Sequence, residues 1–368
     1  MSTMKAIHVR GFTSIRDARI ELGRLNVCVG ANGAGKSNLI SFLHMLSCLA
    51  NGDLQQYVGR HGTAATLLHD GPQATPSMNI HVELDSAIGA ISYSARLAHA
   101  AGDTLMFVDE RLGNGRAVES TKWEVLGTGH RESKLIETAD RGNQTAELIR
   151  QYFERCHVYH FHDTSSGSRI RNKGYIEDNR HLHSDGGNLA AYLYRLHIKH
   201  PTVYHRIRRT IQQIAPFLDD FDLKPSELNT DYIILNWRAK TTDYLFGPHQ
   251  LSDGTIRAIA LVVALLQPRE ELPRVLVVDE PENGLHPYAI EVVADLLGEV
   301  SQVCQVILST QSTNFVDQFD IADVLVVDRE NGESRYRRLS EEDLGLWLEE
   351  YSVGELWQKN VFGGKPLG

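Results

Sequence analysis

Apolar and polar residues alternate through Ala6-Ile7-His8-Val9-Arg10 and Ala18-Arg19-Ile20-Glu21-Leu22, which predicts two half-buried strands. Leu25-Asn26-Val27-Cys28-Val29 is a short apolar run instead, the pattern of a strand buried on both faces. From Asn38 to Leu46 the period changes: Leu39, Phe42, Leu43 and Leu46 fall on one helical face. Ile80-Val82-Leu84, Ile91-Tyr93-Ala95-Leu97, Leu105-Phe107 and Trp123-Val125 step by two between Gly and Asp turns, predicting antiparallel hairpins. Thr145 to Cys156 predicts a helix and Val158 to Phe161 a short strand. Asn188 to Leu218 is helical in pattern, with Leu189, Tyr192, Leu193 and Leu196 on one face and breaks at Pro201 and Pro216. Beyond Leu251 strand and helix alternate again. Ile256 to Leu266 suits a helix, and 275–278, 305–308 and 324–327 suit the buried strands of a sheet core. No repeat, low-complexity linker or sustained heptad run interrupts this, so a compact α/β protein without coiled-coil arms is expected.

The 368 residues suffice for one large domain or two modest ones. No apolar run reaches membrane-spanning length, and Met1 to Arg10 lacks a signal-peptide core. Cys28, Cys48, Cys156 and Cys304 are widely spaced, which suits reduced, buried thiols and a cytoplasmic location. A net charge of −10 argues against a surface coated in nonspecific nucleic-acid contacts. One local basic stretch stands out: Arg195, Lys199, Arg206, Arg208 and Arg209, with His197, His200 and His205 between them. It reads first as a solvated helix face and second as a DNA contact.

The candidate chemistry begins at Gly30-Ala31-Asn32-Gly33-Ala34-Gly35-Lys36-Ser37, which fits G-x-x-x-x-G-K-[ST] between a buried strand and a helix. Glycines let the backbone turn successive N–H groups toward phosphate oxygens, and the helix start adds partial positive charge. Lys36 would reach the β- and γ-phosphates and the Ser37 hydroxyl would ligate Mg²⁺, with Asn38 beginning the helix beside them. This pattern binds a nucleoside triphosphate. Arg274-Val275-Leu276-Val277-Val278-Asp279-Glu280-Pro281 is an apolar strand ending in two acids, the Walker B pattern. Asp279 would hold Mg²⁺ opposite Ser37, and Glu280 would polarise the attacking water. Between the two, Leu251-Ser252-Asp253-Gly254-Thr255 opens a helix and offers a further anion site at its start.

Walker A, LSDGT and Asp-Glu-Pro-Glu-Asn-Gly-Leu-His-Pro at 279–287 together resemble the ATP-binding-cassette ATPases of the SMC and RecF branch. Within it the chain is most similar to bacterial stand-alone AAA-type ATPases related to the overcoming-lysogenization-defect ATPases. Tyr159 to Ser165, Leu251 to Arg257 and Tyr351 to Trp357 carry that likeness. It covers nearly the whole chain, least the hairpins and 218–249. The resemblance implies an α/β P-loop NTPase: an ABC-like head with a mixed central sheet, an antiparallel β-lobe and an inserted helical lobe. It also implies a single ATPase domain over 1–368. Within that, 1–165 would form lobe I, 166–250 the mainly helical lobe, and 251–368 the signature, Walker B and C-terminal sheet core. Two copies would dock head to tail on binding ATP, with Ser252 and Gly254 meeting the γ-phosphate in trans and Asn283 to His286 passing between the sites. One residue departs from the family: Gln311 stands where cassette ATPases place a γ-phosphate-sensing histidine. An amide donates but carries no charge, so slower or partner-gated hydrolysis is expected. For the Q-loop, Gln55 or Gln56 is the weak candidate.

His157, His160, His162 and Asp163 suggest a metal site, and alternation would put His160 and His162 on one side. No cysteine or further spaced acid completes the set nearby, so a structural or nucleotide-adjacent strand is expected. Around Asp317, Asp320, Asp323 and Asp328 no second α/β unit supports a nuclease centre, so any cutting is expected of a partner. The expected activity is hydrolysis of ATP to ADP and phosphate, with Mg²⁺ as cofactor and no membrane partner. The first role is a DNA-associated ATPase of repair or anti-phage defence, acting alone or with an effector. The alternative is a regulatory ATPase subunit acting on a protein effector without DNA contact. A transporter motor and a small-molecule kinase fit less well, since a kinase has no use for LSDGT.

Overall fold

A computed structural model describes residues 2–115, 122–345 and 347–364. It forms two compact units: Met1–His157 with Pro273–Val277 and Gln305–Gly368, and Val158–Leu272 with Val278–Cys304.

The first unit holds a six-stranded sheet and most of a second. One is antiparallel, in the order Ile15–Glu21, Thr3–Phe12, Ser77–Ser86, Gly89–Ala100, Thr104–Asn114, Lys122–Gly127. Its strands show the alternation of the sequence, with Ile80, Val82, Ile91, Tyr93 and Leu97 buried. The other runs Glu333–Arg338, Val324–Glu330, Leu25–Val29, Gln305–Thr310, Val275–Asp279, Cys156–Tyr159. Leu25–Val29 is parallel to both Gln305–Thr310 and Val324–Glu330, while Glu333–Arg338 turns back antiparallel, so this sheet is mixed. Leu25–Val29 is buried throughout, as a central strand covered on both faces must be.

The helix after the phosphate loop spans Lys36–Asn51 and buries Leu39, Ile40, Phe42, Leu43, Met45, Leu46 and Leu49. Gly52 closes it in the left-handed conformation (φ 77°), its N–H returning to Cys48 and Leu49 carbonyls. Phe42 meets Phe12 edge to face, ring centroids 5.6 Å apart.

The second unit contains the helices Leu189–Lys199, Pro201–Ile214, Asp253–Leu265 and Pro287–Ser301. The break falls at Pro201, which begins the second helix as its first residue. Residues 166–250 hold both helix and strand. Helix occupies 189–214, but Leu218–Asp222, Asn229–Ile233, Asn236–Ala239 and Thr242–Phe246 are strands of two small sheets. Their outward residues are so polar and exposed that no strand period shows. Among the described residues no helix is long and apolar enough to cross a membrane, and the longest has 16 residues, so no coiled-coil arm is present among them.

Candidate functional site

In the first unit the phosphate loop is shaped by close approaches that only glycine permits. A Cβ on Gly30 would lie 2.2 Å from the Val327 carbonyl oxygen. One on Gly35, whose φ is +123°, would lie 2.0 Å from Ser334 Oγ. Ser334 Oγ donates to the Ala34 carbonyl (2.6 Å), and the Tyr336 hydroxyl donates to that of Gly35 (2.8 Å). Lys36 is 6% exposed, and its Nζ donates to the carbonyls of Gly30 (2.6 Å) and Ala31 (3.0 Å). It therefore spans the mouth of its own loop. The helix it opens has no side-chain cap, which leaves first-turn N–H groups for an anion. A polyphosphate fits this cradle. Asn32, Gly33 and Ser37 are exposed along it, whereas Ala34 is buried. The Asn38 side-chain amide donates to Ser14 Oγ.

Gln311 is exposed, just past the strand Gln305–Thr310 and before a short helix capped by Ser312. The Gln55 amide is spent on the carbonyls of Leu105 (3.0 Å) and Arg131 (2.8 Å). Asp317 and Asp328 accept backbone N–H groups of Gly354 and Gly364, both at 2.6 Å, a structural use for two of the four acids considered for cleavage.

In the second unit Ser252 caps the signature helix, its Oγ accepting from Thr255 N (3.1 Å), and remains exposed. Gly254 is buried, and its added Cβ would sit 1.9 Å from the Gly284 carbonyl oxygen. Gly254 thus seats the signature helix against the loop 283–286, a packing role beyond the anion contact expected of it. Asp253 holds Arg171, which is 4% exposed and which sequence reasoning missed. That guanidinium also donates to the carbonyls of Thr164 (2.6 Å), Leu251 (3.1 Å) and Pro248. Hydrogen bonding from Arg171 holds the Asp253 carboxyl below its ordinary range.

Asp279 ends the strand Val275–Asp279, and Glu280 follows it. Glu280 has φ +46°, a left-handed conformation uncommon outside glycine. Asn283 stabilises the turn, its amide donating to Glu280 Oε2 (2.5 Å) and its N–H to the Glu280 carbonyl (3.2 Å). His162 Nε2 lies 3.8 Å from Asp279 Oδ2, and the attraction of that carboxylate raises the His162 pKa against the effect of burial. Of the four residues weighed and set aside as a metal site from sequence, His160 and His162 come together with their ligand atoms close, and His157 and Asp163 stay out. The acid that sequence could not supply is Asp279.

Residues 25–317 match the family described as AAA domain, putative AbiEii toxin, Type IV TA system. The chain belongs to that family. A search of curated proteins finds no match. Among solved structures it is similar to an SMC head bound to the C-terminal winged-helix domain of ScpA, at TM-score 0.61 and 16% identity over 94% of this chain and 99% of that one. It is also similar to the Pyrococcus furiosus Smc head domain bound to the C-terminal domain of ScpA (TM-score 0.57, 16% identity, 95% and 99% covered). A third is the SMC head domain from Thermotoga maritima (TM-score 0.50, 16% identity, 92% and 99% covered). The fold is that of an ABC-type P-loop ATPase head, as the Walker and signature elements imply.

Proposed function

We propose that this member of the AAA family hydrolyses ATP with Mg²⁺ in a composite site completed by a second copy of the chain docked head to tail. The observation that carries the reading is Lys36, buried and lodged on the Gly30 and Ala31 carbonyls above an uncapped helix start. Incoming phosphates would exchange that lysine's contacts with neutral carbonyls for stronger ones with anionic oxygens. Ser37 and Asp279 would hold Mg²⁺, which screens charge on the transferring phosphoryl group. Glu280 orients the attacking water and takes its proton, and Gln311 donates to the γ-phosphate. Ser252, exposed at its helix start, supplies the partner's contact in trans.

The biological setting proposed is DNA repair or anti-phage defence, as in ATPases related to the overcoming-lysogenization-defect group. The toxin–antitoxin wording of the family description accords with defence. One observation favours the second reading, a regulatory subunit that engages protein without DNA. Within the basic stretch Arg195 pairs with Glu271, Arg206 with Glu299 and Arg208 with Asp220, so three of its cations are already neutralised. The ScpA-bound SMC heads offer a precedent for a protein partner on this fold.

The deciding experiment is the solution mass of Glu280→Gln by light scattering, with and without Mg·ATP. A monomer that dimerises with ATP supports the composite site. ATP binding without any change of mass removes the role of Ser252 in trans for a monomer. DNA stimulation of wild-type ATP turnover that fades with salt separates the DNA-associated reading from the protein-effector one.

A further inference from the structure

His160 and His162 lie just beyond the end of the strand Cys156–Tyr159. The His160 N–H is anchored to the Ser184 carbonyl (2.8 Å), and the two imidazoles stand 6.2 Å apart between centroids, tilted by 35°. Arg257 fixes the backbone between them, donating to the carbonyls of Phe161 (3.1 Å) and His162 (2.8 Å). Asp279 arrives at the tip of the strand Val275–Asp279. One ligand atom from each of His160, His162 and Asp279 then lies within 4.8 Å of the other two. Among the described residues no other group of His, Cys, Asp or Glu side chains gathers its donor atoms in this way.

We propose that His160, His162 and Asp279 bind a d-block divalent cation, zinc foremost, at a site that shares Asp279 with the magnesium of the nucleotide site. Two imidazoles and one carboxylate are the donors such ions prefer, and three protein ligands leave open positions for water. Magnesium is a poor fit, because it demands oxygen donors in a near-octahedral shell. Ligand atoms around tetrahedral zinc stand about 3.4 Å apart at bond lengths near ~2.0–2.1 Å. The His162–Asp279 separation of 3.8 Å is close to that, and all three atoms come into range by rotation of exposed or half-buried side chains. A small cleft lined by Phe161, Arg257, Val278 and Glu280 includes two of the three donors, His162 and Asp279. A second consequence rests on the ATPase reading: zinc held here occupies the Asp279 carboxylate that magnesium needs, so it brakes turnover.

The test titrates Zn²⁺ into the nucleotide-free, full-length protein by calorimetry, alongside His160→Ala, His162→Ala and the double variant. Co²⁺ absorption reports coordination in the wild type. Wild type binds one Zn²⁺ per chain, and each single variant weakens it by about tenfold or more, since even outer-shell partners of zinc ligands are worth ~10- to 100-fold. Both histidines are exposed, so folding is retained, which circular dichroism checks. Absence of stoichiometric Zn²⁺ binding, or wild-type affinity in the double variant, overturns the site. Inhibition by Zn²⁺ is then measured against Mg·ATP turnover. Turnover that Zn²⁺ slows in wild type and not in the double variant supports the brake, and equal slowing in both overturns it. A protein that binds zinc through these histidines but shows no turnover in Mg²⁺ alone keeps the site and discards the ATPase reading.

Discussion

Arg171 and Asp253 form an ion pair with N···O 2.8 Å, in which the arginine is buried and the aspartate exposed. The guanidinium is therefore the structural half. It supplies donors to three interior carbonyls, two of which flank the entry to the signature helix. Arg171→Met strands those carbonyls and is expected to cost about 2–4 kcal/mol in urea unfolding. Asp253→Asn leaves the carbonyl contacts standing and is the milder change. Because Asp253 titrates below its ordinary 3.8, the pair stabilises the fold above that pH. Its contribution is lost as pH falls through the lowered value, so wild type and Asp253→Asn converge in stability in acid. An unchanged gap between them down to full protonation would remove the charge from this account.

The contact of Gly254 with Gly284 makes a sharper prediction. A methyl at 254 must displace backbone, not a flexible side chain, because the atom 1.9 Å away is a carbonyl oxygen. Gly254→Ala is expected to cost about 1–3 kcal/mol, the range for overpacking. Gly298 is the internal control: it is helical, and an added Cβ meets nothing within 4 Å. Gly298→Ala should stabilise by about 0.5–1 kcal/mol through helix propensity. Thermal melts of the two variants must therefore move in opposite directions.

What sequence disclosed and what it hid divides along a physical line. The phosphate loop and Walker B strand were legible because their chemistry depends on local backbone, glycines at fixed spacing and an apolar run ending in acids. Ser334 and Tyr336, which brace the loop carbonyls, carry no local signal, since their partners lie about three hundred residues away. Arg171 was hidden for the same reason, and so was the arrival of Asp279 beside His160 and His162. The strands of 218–246 escaped because solvent covers much of them: Asn229, Thr230, Asp231 and Tyr232 are all exposed, so nothing imposes alternation.

Glu280 is held at φ +46° immediately before Pro281. A non-glycine residue in this region costs about 1–2 kcal/mol, and strain of this kind gathers at functional turns. Replacing the side chain with hydrogen relieves it, while alanine does not. Glu280→Gly should be more stable than Glu280→Ala by about 1 kcal/mol, although at an ordinary position glycine is the weaker of the two. Urea unfolding of the pair decides the point, and an alanine variant equal to or better than glycine would show the turn to be unstrained.

Gln305 offers the strongest test of how the first unit is held together. The side chain is buried. Its Oε1 accepts from Met4 N (3.1 Å) and the Tyr152 hydroxyl, and its Nε2 donates to the carbonyls of Met4 (2.8 Å) and Gly23 (2.6 Å). One amide thereby joins the start of the strand Thr3–Phe12 in the antiparallel sheet to the mixed sheet. Gln305→Leu leaves several buried polar groups without this partner and should cost about 3 kcal/mol or more. Tyr152→Phe removes one hydroxyl, whose bond to Met4 N (2.9 Å) is lost, and should cost about 1 kcal/mol. Gln305→Glu is the discriminating variant. It keeps an acceptor, loses the donor to two carbonyls and buries a charge, so its carboxyl pKa must rise. At neutral pH it should be less stable than Gln305→Leu. As pH falls through that raised pKa the carboxyl gains a proton it can donate, and the deficit against wild type should shrink. A deficit independent of pH would place the carboxylate in water and Gln305 outside the interior network.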